Sequence, residues 1–331
     1  LKALPTIGLV ADALTAASLN FDCRVIQLGP RDSWWRLWLR RPEFLLVESA
    51  WSGPRDSWKY KIASYPSHPG RTNQALVKLV STARDRGIPT VFWNKEDSVH
   101  FDRFIESAKL FDHVFTVDAN AIPRYKKIMG ERASVHPMMF AIQPKTHGFT
   151  GFNFRYSRAN FVGSYSSENH PRRREWQDKL FGAACNSGLG LTVIDRNSNR
   201  KAAHYRFPSL PGLDVKRAIS HEATACLYRD YLVSLNVNTV EDSPTMFSRR
   251  LVEILGCGGI AVTTPAVSVD AMFAEYCHVV RSASEAHELF ARLRHGPSAE
   301  DLERARAGAE FVAGHHTWAH RLRQIAEVVG Q

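Results

Sequence analysis

The strongest chemical signal in the chain lies in two strand-to-helix passages rich in arginine. In the first, Phe161-Val162-Gly163-Ser164-Tyr165-Ser166-Ser167 runs into His170-Pro171-Arg172-Arg173-Arg174. An apolar run there gives way to a small-residue loop and then to a helix whose first turn carries the arginines. Free N–H groups and the helix dipole favour an anion at such a start, and guanidinium groups add forked donors. Arginine at a helix start is electrostatically unfavourable unless an anion is present. Gly163, Ser164, Tyr165, Arg172 and Arg173 are therefore candidate phosphate-site residues, and a solvated basic turn is the plain alternative. The passage has neither the Gly-Lys-Ser/Thr of a phosphate-binding loop nor a GxGxxG string. That weighs against ATP hydrolysis and dinucleotide redox chemistry.

The second passage is Asn236-Val237-Asn238-Thr239-Val240-Glu241-Asp242-Ser243-Pro244-Thr245-Met246-Phe247-Ser248-Arg249-Arg250. A strand ends in a turn-prone loop, and the pattern predicts a helix beginning near Thr245. Asn238, Ser243, Thr245, Met246 and Phe247 flank the expected anion site, with Arg249 or Arg250 to supplement it. Glu253 lies two turns along, where a carboxylate can accept hydrogen bonds from ribose hydroxyls. The competing reading is a surface salt-bridge set with Arg249 or Arg250. A third set of polar residues stands at the ends of apolar runs in the first half: Asp12, Glu48, the Glu96-Asp97 pair and Asp118. In an open α/β sheet, ligands bind beyond the carboxyl ends of the strands. Some of these acids are equally suited to capping the next helix.

The elements that position these residues alternate. Ile7–Val10, Arg24–Leu28, Phe44–Val47, Ile88–Trp93 and Val114–Thr116 read as strands. Ser33–Arg40, Gln74–Arg86 and Phe101–Leu110 read as helices between them. Continuous apolar strands separated by amphipathic helices indicate an α/β fold with a mostly parallel sheet covered on both faces. A loop-rich stretch over 133–156 suggests a domain boundary near residue 150. A second series follows, with strands at Ala159–Val162, Leu191–Ile194, Leu232–Asn236 and Gly258–Val262, a helix over Phe247–Leu255 and a helical tail over Glu300–Val329. Trp34, Trp35 and Trp38 are expected in core or domain packing. Trp51 and Trp93, each at a strand end, are better candidates for a binding cleft.

Composition narrows the class. The 331 residues are 44% hydrophobic and 23% charged, with a net charge of +10. This is a globular chain rather than a disordered polyelectrolyte. No run approaches the roughly 20 apolar residues of a membrane span. The five cysteines (Cys23, Cys185, Cys226, Cys257, Cys277) form no CxxC pair and no disulfide framework. Residues 1–150 carry 21 Lys and Arg against 14 Asp and Glu, so most of the excess lies in the first half. His315, His316 and His320 lack an acidic partner at a zinc spacing, and no DxD string occurs, so no metal ligands are expected.

Taken together, these strings resemble the CgeB-like (spore-maturation type) bacterial glycosyltransferases of the GT-B superfamily. The likeness is carried by Leu45–Gly53, Ile88–Asp97 with His100-Phe101, Phe111–Asp118, Phe161–Tyr165, Leu235–Asn238, Ser243–Arg250, Glu253–Gly258 and His316-Thr317-Trp318 with Arg321. It implies two Rossmann-like domains facing each other across a cleft. Residues 1–150 would form the acceptor domain and 151–310 the nucleotide-sugar domain, with a C-terminal helix over 311–331 packing back toward the first. It also implies transfer of a sugar from a UDP-, GDP- or TDP-sugar to a hydroxyl acceptor, with no further cofactor required. Glu253 matches the carboxylate that binds ribose in many GT-B enzymes. Those enzymes often carry another Glu eight positions earlier, where this chain has Thr245, so that sugar contact does not carry over. Helix-start N–H groups and arginine can stabilise the leaving diphosphate without a metal. For the base that an inverting reaction needs, Asp97 is the first choice, with Glu96 and His100 as a relay and Asp12 as the competitor. Asp97 as a helix cap is the alternative.

The expected partners are the donor and a glycan, envelope or small-molecule hydroxyl acceptor, which the basic first half suits to anionic character. No nucleic acid is expected. The expected location is the cytoplasm, with the inner membrane face as a place of peripheral contact. A nucleotide-sugar epimerase or hydrolase, or a non-catalytic glycan-binding envelope or spore assembly protein, are the other readings of the same residues.

Overall fold

In the computed structural model, which describes residues 4–330, the apolar runs of the first half form β1 (Thr6–Val10), β2 (Arg24–Gln27), β3 (Phe44–Glu48), β4 (Thr90–Asn94), β5 (His113–Thr116) and β6 (Ser134–Pro137). They lie in one parallel sheet, in the order β2-β1-β3-β4-β5-β6. Every residue of β3 and β4 is buried, as a sheet covered by helices on both faces requires. The second half forms β7 (Tyr156–Gly163), β8 (Leu191–Asp195), β9 (Leu213–Arg217), β10 (Tyr231–Asn236), β11 (Ile260–Thr263) and β12 (His278–Val279). These are again parallel, in the order β12-β11-β10-β7-β8-β9.

Each sheet has a point where its strand order reverses. In the first it falls between β1 and β3, in the second between β7 and β10. Loops leaving the two strands at such a point diverge to opposite faces and open a crevice at the carboxyl ends. The chain accordingly divides into two units. One holds the chain through Gln143, Ser243–Met246 and the chain from Trp318 onward; the other holds Pro144–Asp242 and Phe247–Thr317. Each has its own aromatic core, built around Phe92, Phe101, Phe104 and Trp58 in the first and Phe161, Phe181 and Trp176 in the second. The last helix, Trp318–Val329, belongs to the first unit. There Trp318 sets its ring edge-on to Trp93 at 5.3 Å, and Arg321 Nε donates to Met139 O at 2.8 Å.

Several expectations change. The strand β6 buries a single residue, β12 is two residues long and β9 is largely solvent-exposed, so none carries the apolar run that marks a buried strand. The helical tail is two helices, Ala299–His315 and Trp318–Val329. The helix expected from Thr245 or Phe247 begins only at Arg249. Ser243 Oγ accepts from the N–H groups of Thr245 and Met246, and Asn238 Oδ1 accepts from Ser248 N, which pins the preceding segment as an irregular turn. Trp34, Trp35 and Trp38 are not core residues: they are 55%, 41% and 64% exposed. Trp93 is buried rather than lining a cleft, with its indole N–H donating to Met138 O.

Candidate functional site

At the β7/β10 reversal point of the second unit stands a cluster of arginines. Arg250, in the first turn of the helix Arg249–Gly256, reaches back across both strands. Its Nε donates to Val162 O at 2.5 Å and its Nη1 to Asn236 Oδ1 at 3.4 Å, with the guanidinium over the Phe161 ring. Burial pushes its pKa down to about 10, and the neighbouring Arg173 and Arg196 push the same way. Burial and Arg196 likewise lower Arg173, whose buried Nε has no hydrogen-bond partner in the structure. Arg196 follows β8 directly, and its N–H donates to Gly163 O. Such a like-charged, partly desolvated set is a costly arrangement that an anion relieves. Gly163 makes the approach possible. A Cβ there would lie 2.7 Å from two Phe161 ring carbons and 3.0 Å from Arg250 Nη2.

One turn further along the same helix, Glu253 is buried. Arg249 Nε stands 2.8 Å from its Oε1 and His221 Nε2 stands 3.6 Å from it. Burial alone would raise the carboxyl, but Arg249 and the imidazoles of His147 and His221 outweigh it and hold Glu253 below the usual glutamate range. Thr224 Oγ1 donates to His221 O, so it accepts from His147 Nε2–H at 3.0 Å and fixes that tautomer. Burial pushes His147 down to about 4. His147, His221 and Glu253 each bring a ligand atom within 4.8 Å of the others. Arg249 already supplies a cation to the carboxylate, which disfavours a metal ion there. The reversal into β11 needs Gly258, at φ +73°, where a Cβ would meet the Phe149 ring at 2.3 Å.

Other expected donor residues have different surroundings. Arg172 is exposed and paired with Glu175 and Glu241, away from the arginine cluster. Tyr165 anchors its loop, donating to Asp178 Oδ1 at 2.9 Å. Ser164 is half-buried, with its carbonyl accepting from Gln177. Asn238 is fully buried and holds the helix start in place. Phe247 packs edge-on to Phe273 in the interior, while Met246 is half-buried. Thr245 and Ser243 belong to the first unit. Thr245 Oγ1 donates to Val117 O and accepts from Ala119 N, both at 2.9 Å.

In the first unit the reversal point carries Asp12, Glu48 and Lys95. Lys95 Nζ contacts Asp12 Oδ2 at 2.8 Å and Glu48 Oε1 at 2.9 Å. Burial would lower the ammonium, but Glu48 and Asp12 outweigh it and hold Lys95 above the usual lysine range. Glu48 is fully buried and also accepts from Asp12 N and Thr15 Oγ1. Asp12 keeps 34% of its side chain exposed while accepting from Gly53 N. Asp97 has a different place. It has no solvent exposure, and its oxygens accept from Asn94 Nδ2, Thr116 Oγ1 and Tyr125 OH at 2.7–2.8 Å. Burial pushes its pKa up to about 7, against the Thr116 and Tyr125 hydrogen bonds. Glu96 is half-buried, and His100 caps the helix Phe101–Ala108 with its ring edge-on to Trp51. Asp118 caps the short turn that follows β5. Arg196, His147, His221 and Lys95 stand in these clusters although the sequence reading did not name them as candidates. Of these, only Arg196 and Lys95 had a signal in the sequence, since each directly follows a strand.

The fold is shared with solved glycosyltransferase structures. Anabaena Alr3699/HepE in complex with UDP and glucose matches with a TM-score of 0.59 at 12% identity, over 98% of this chain and 91% of that one. The DNA-modifying enzyme β-glucosyltransferase, studied with and without uridine diphosphoglucose, matches with 0.59 at 9% identity, over 98% and 100%. TarM matches with 0.55 at 7% identity over 90% of this chain, which spans only 58% of TarM. At these identities the likeness is one of fold, the two-domain α/β fold of GT-B enzymes. No curated protein sequence matches the chain. Residues 158–327, just over half of the chain, match the Glycosyl transferase-like family, and the protein belongs to that family.

Proposed function

We propose that the protein transfers a hexosyl group from a nucleoside diphosphate sugar to a hydroxyl acceptor, the second unit holding the donor. The observation that carries this reading is the Arg173–Arg196–Arg250 cluster at the β7/β10 reversal point, with Glu253 one turn beyond Arg250. The arginines suit a diphosphate, and Glu253 suits the ribose hydroxyls. Two proteins of the same fold were studied with UDP, glucose or uridine diphosphoglucose, which supports a UDP-sugar as the first donor to test. In the reaction an acceptor oxygen attacks the anomeric carbon and the bond to the β-phosphate oxygen breaks. Charge then develops on the diphosphate. Arg250, fixed by Val162 O and Asn236, is already oriented to meet it. This chemistry calls on no metal ligand of the chain, consistent with the absence of a DxD string.

For an inverting course we assign the base to Asp12 rather than Asp97. Asp12 is partly exposed at the end of β1, beside the reversal point of its sheet, and Gly53 N and Lys95 fix its orientation. Asp97 has no surface to offer an acceptor. The strings shared with the CgeB-like bacterial group support assigning the protein to that group, with a proposed site of action in the cytoplasm. The test is calorimetric titration with UDP, GDP and TDP, followed by a mass-spectrometric screen of donor sugars. Nucleotide binding with sugar transfer supports the reading. Absence of binding to well-folded protein, or isomerisation of the donor sugar without transfer, overturns it. Asp12→Asn is expected to lower turnover by about 100-fold or more while nucleotide affinity holds.

A further inference from the structure

The helix Ser33–Arg40 of the first unit turns an unusual face to solvent. Its sequence, Ser-Trp-Trp-Arg-Leu-Trp-Leu-Arg, buries only Ser33 and Leu37. At helical spacing Trp34, Trp38, Trp35 and Leu39 fall on one continuous arc on the side away from these two. Leu39 is 60% exposed, alongside the three exposed tryptophans. Leu37 packs near Gly8 of β1, and Arg36 Nη1 donates to Gln27 O of β2 at 3.4 Å. An apolar arc of this density on a short surface helix is not needed for the core, which is complete beneath it.

The surroundings of the arc are basic. Arg31 precedes the helix, Arg40 and Arg41 close it, and all three are exposed. Arg86 places its guanidinium over the Trp38 ring at 5.8 Å, and Arg36 lies over Trp35 at 5.2 Å. Among these, Arg36 is neutralised by Asp32 at 2.6 Å. The rest leave a positive rim around indole rings. Tryptophan partitions to the boundary between headgroups and acyl chains, and flanking arginines meet lipid phosphates. A second copy of the chain is the poorer occupant. A two-fold contact through this face would set one copy's Arg31, Arg40, Arg41 and Arg86 against the same positive rim of the other.

We propose that this helix docks the protein in the plane of an anionic phospholipid surface, with Trp34, Trp35, Trp38 and Leu39 entering the interface and the arginine rim meeting lipid phosphates. The inference stands apart from the donor site and holds for any activity of the chain. Among the described residues no helix is long and apolar enough to cross a membrane, so the contact is peripheral.

The experiment is sedimentation of the intact protein with vesicles of phosphatidylcholine alone or with roughly one third phosphatidylglycerol, with tryptophan quenching by brominated lipid as a second readout. Binding is expected only to the anionic vesicles, with quenching, and to weaken with added salt. The double variant Trp34→Ser/Trp38→Ser is expected to lose binding by about tenfold or more, since both rings leave the interface. Arg31→Gln/Arg40→Gln is expected to lose about tenfold as well. All four side chains are exposed, so both variants should melt like wild type. Three results overturn the proposal: equal binding to neutral vesicles, binding unchanged in the tryptophan variant, or no binding to the anionic vesicles, with a dimer that Trp34→Ser/Trp38→Ser dissolves then assigning the face to a second copy.

Discussion

Replacing Asp97 by Asn separates a structural carboxyl from a catalytic one. The buried carboxyl has its pKa pushed from 3.8 up to about 7, mainly by burial. A shift of this size corresponds to about 4 kcal/mol, at about 1.4 kcal/mol per unit. Because the folded value lies above the unfolded one, this group's contribution is fully present below about pH 4. It is lost as the pH rises through about 7. Asparagine does not titrate. Its carbonyl can still accept from Asn94 Nδ2, and its amide can donate to Thr116 Oγ1 if that hydroxyl turns to Asp118 O, a contact already at 3.2 Å. The Tyr125 hydroxyl loses its acceptor, a pH-independent cost of about 1 kcal/mol. The stability of Asp97→Asn minus that of wild type should therefore climb with pH from about 4 to 7, by as much as about 4 kcal/mol, and then level. Urea unfolding followed by tryptophan fluorescence across this range measures it, and titrations common to both proteins cancel in the difference. A flat difference would refute the raised pKa and the buried-carboxyl argument built on it. Turnover provides the second readout. If Asp12 is the base, Asp97→Asn keeps activity within about threefold, whereas loss of about 100-fold in a well-folded variant would return the role to Asp97.

Other outcomes follow from the proposed donor site. Arg250→Ala should weaken UDP and pyrophosphate alike, by about tenfold or more, because it removes a charge-assisted contact to the diphosphate; calorimetry reads both. Glu253→Gln should weaken UDP by about tenfold yet leave pyrophosphate affinity unchanged, and a parallel loss of both would count against a ribose contact. Gly163→Ala places a methyl 2.7 Å from the Phe161 ring and 3.0 Å from Arg250 Nη2, so thermal stability and UDP affinity should fall together. The expected cost is about 1–3 kcal/mol, and an unchanged melt would show that the loop simply yields. His147 carries a folded pKa of about 4 against 6.5, so its contribution is present above 6.5 and lost as the pH falls through 4. His147→Gln should make acid unfolding shallower over that range.

The parallel α/β character was legible because buried strands such as Phe44–Glu48 are apolar at every position but the last, a signal that survives without alignment. The strands β6 and β9 were not legible for the opposite reason. β6 buries a single residue and β9 is largely exposed, so nothing in their composition separates them from loop. The helix start at Arg249 was obscured because Ser243 and Asn238 hold the preceding residues by side-chain contacts that propensity does not encode. The arginine passages and Glu253 could be singled out because residue type and strand-to-helix position coincide. His147 and His221 reach Glu253 only through tertiary packing, and no spacing in the chain announces them. Asp97 shows the limit most plainly. An acid after a strand reads the same whether it faces solvent or, as here, three donors in the interior.

The +10 charge illustrates the same limit and also resolves it. Arg40-Arg41 and Arg249-Arg250 are identical dipeptides in sequence, and charge alone ranks neither above the other as an anion site. Their surroundings differ in kind. Arg250 is desolvated, aimed by Val162 O and Asn236, and held close to Arg173 and Arg196, so its pKa falls to about 10. Folding such a cluster costs free energy that the proposed diphosphate would return, and tight, oriented binding of a small anion is a use that matches the cost. Arg40 and Arg41 are exposed beside tryptophan, where water already solvates them and their placement costs little. Weak attraction summed over several such groups needs a partner that is itself extended and multiply charged, and a lipid surface meets that requirement where a single nucleotide does not. The two kinds of site should therefore separate under salt. Exposed pairing is screened over about 8 Å at physiological ionic strength, while contacts made inside a desolvated crevice persist. Raising salt is expected to release the protein from vesicles well before it releases UDP, and loss of both at the same salt concentration would show that the Arg250 cluster is as solvated as Arg40.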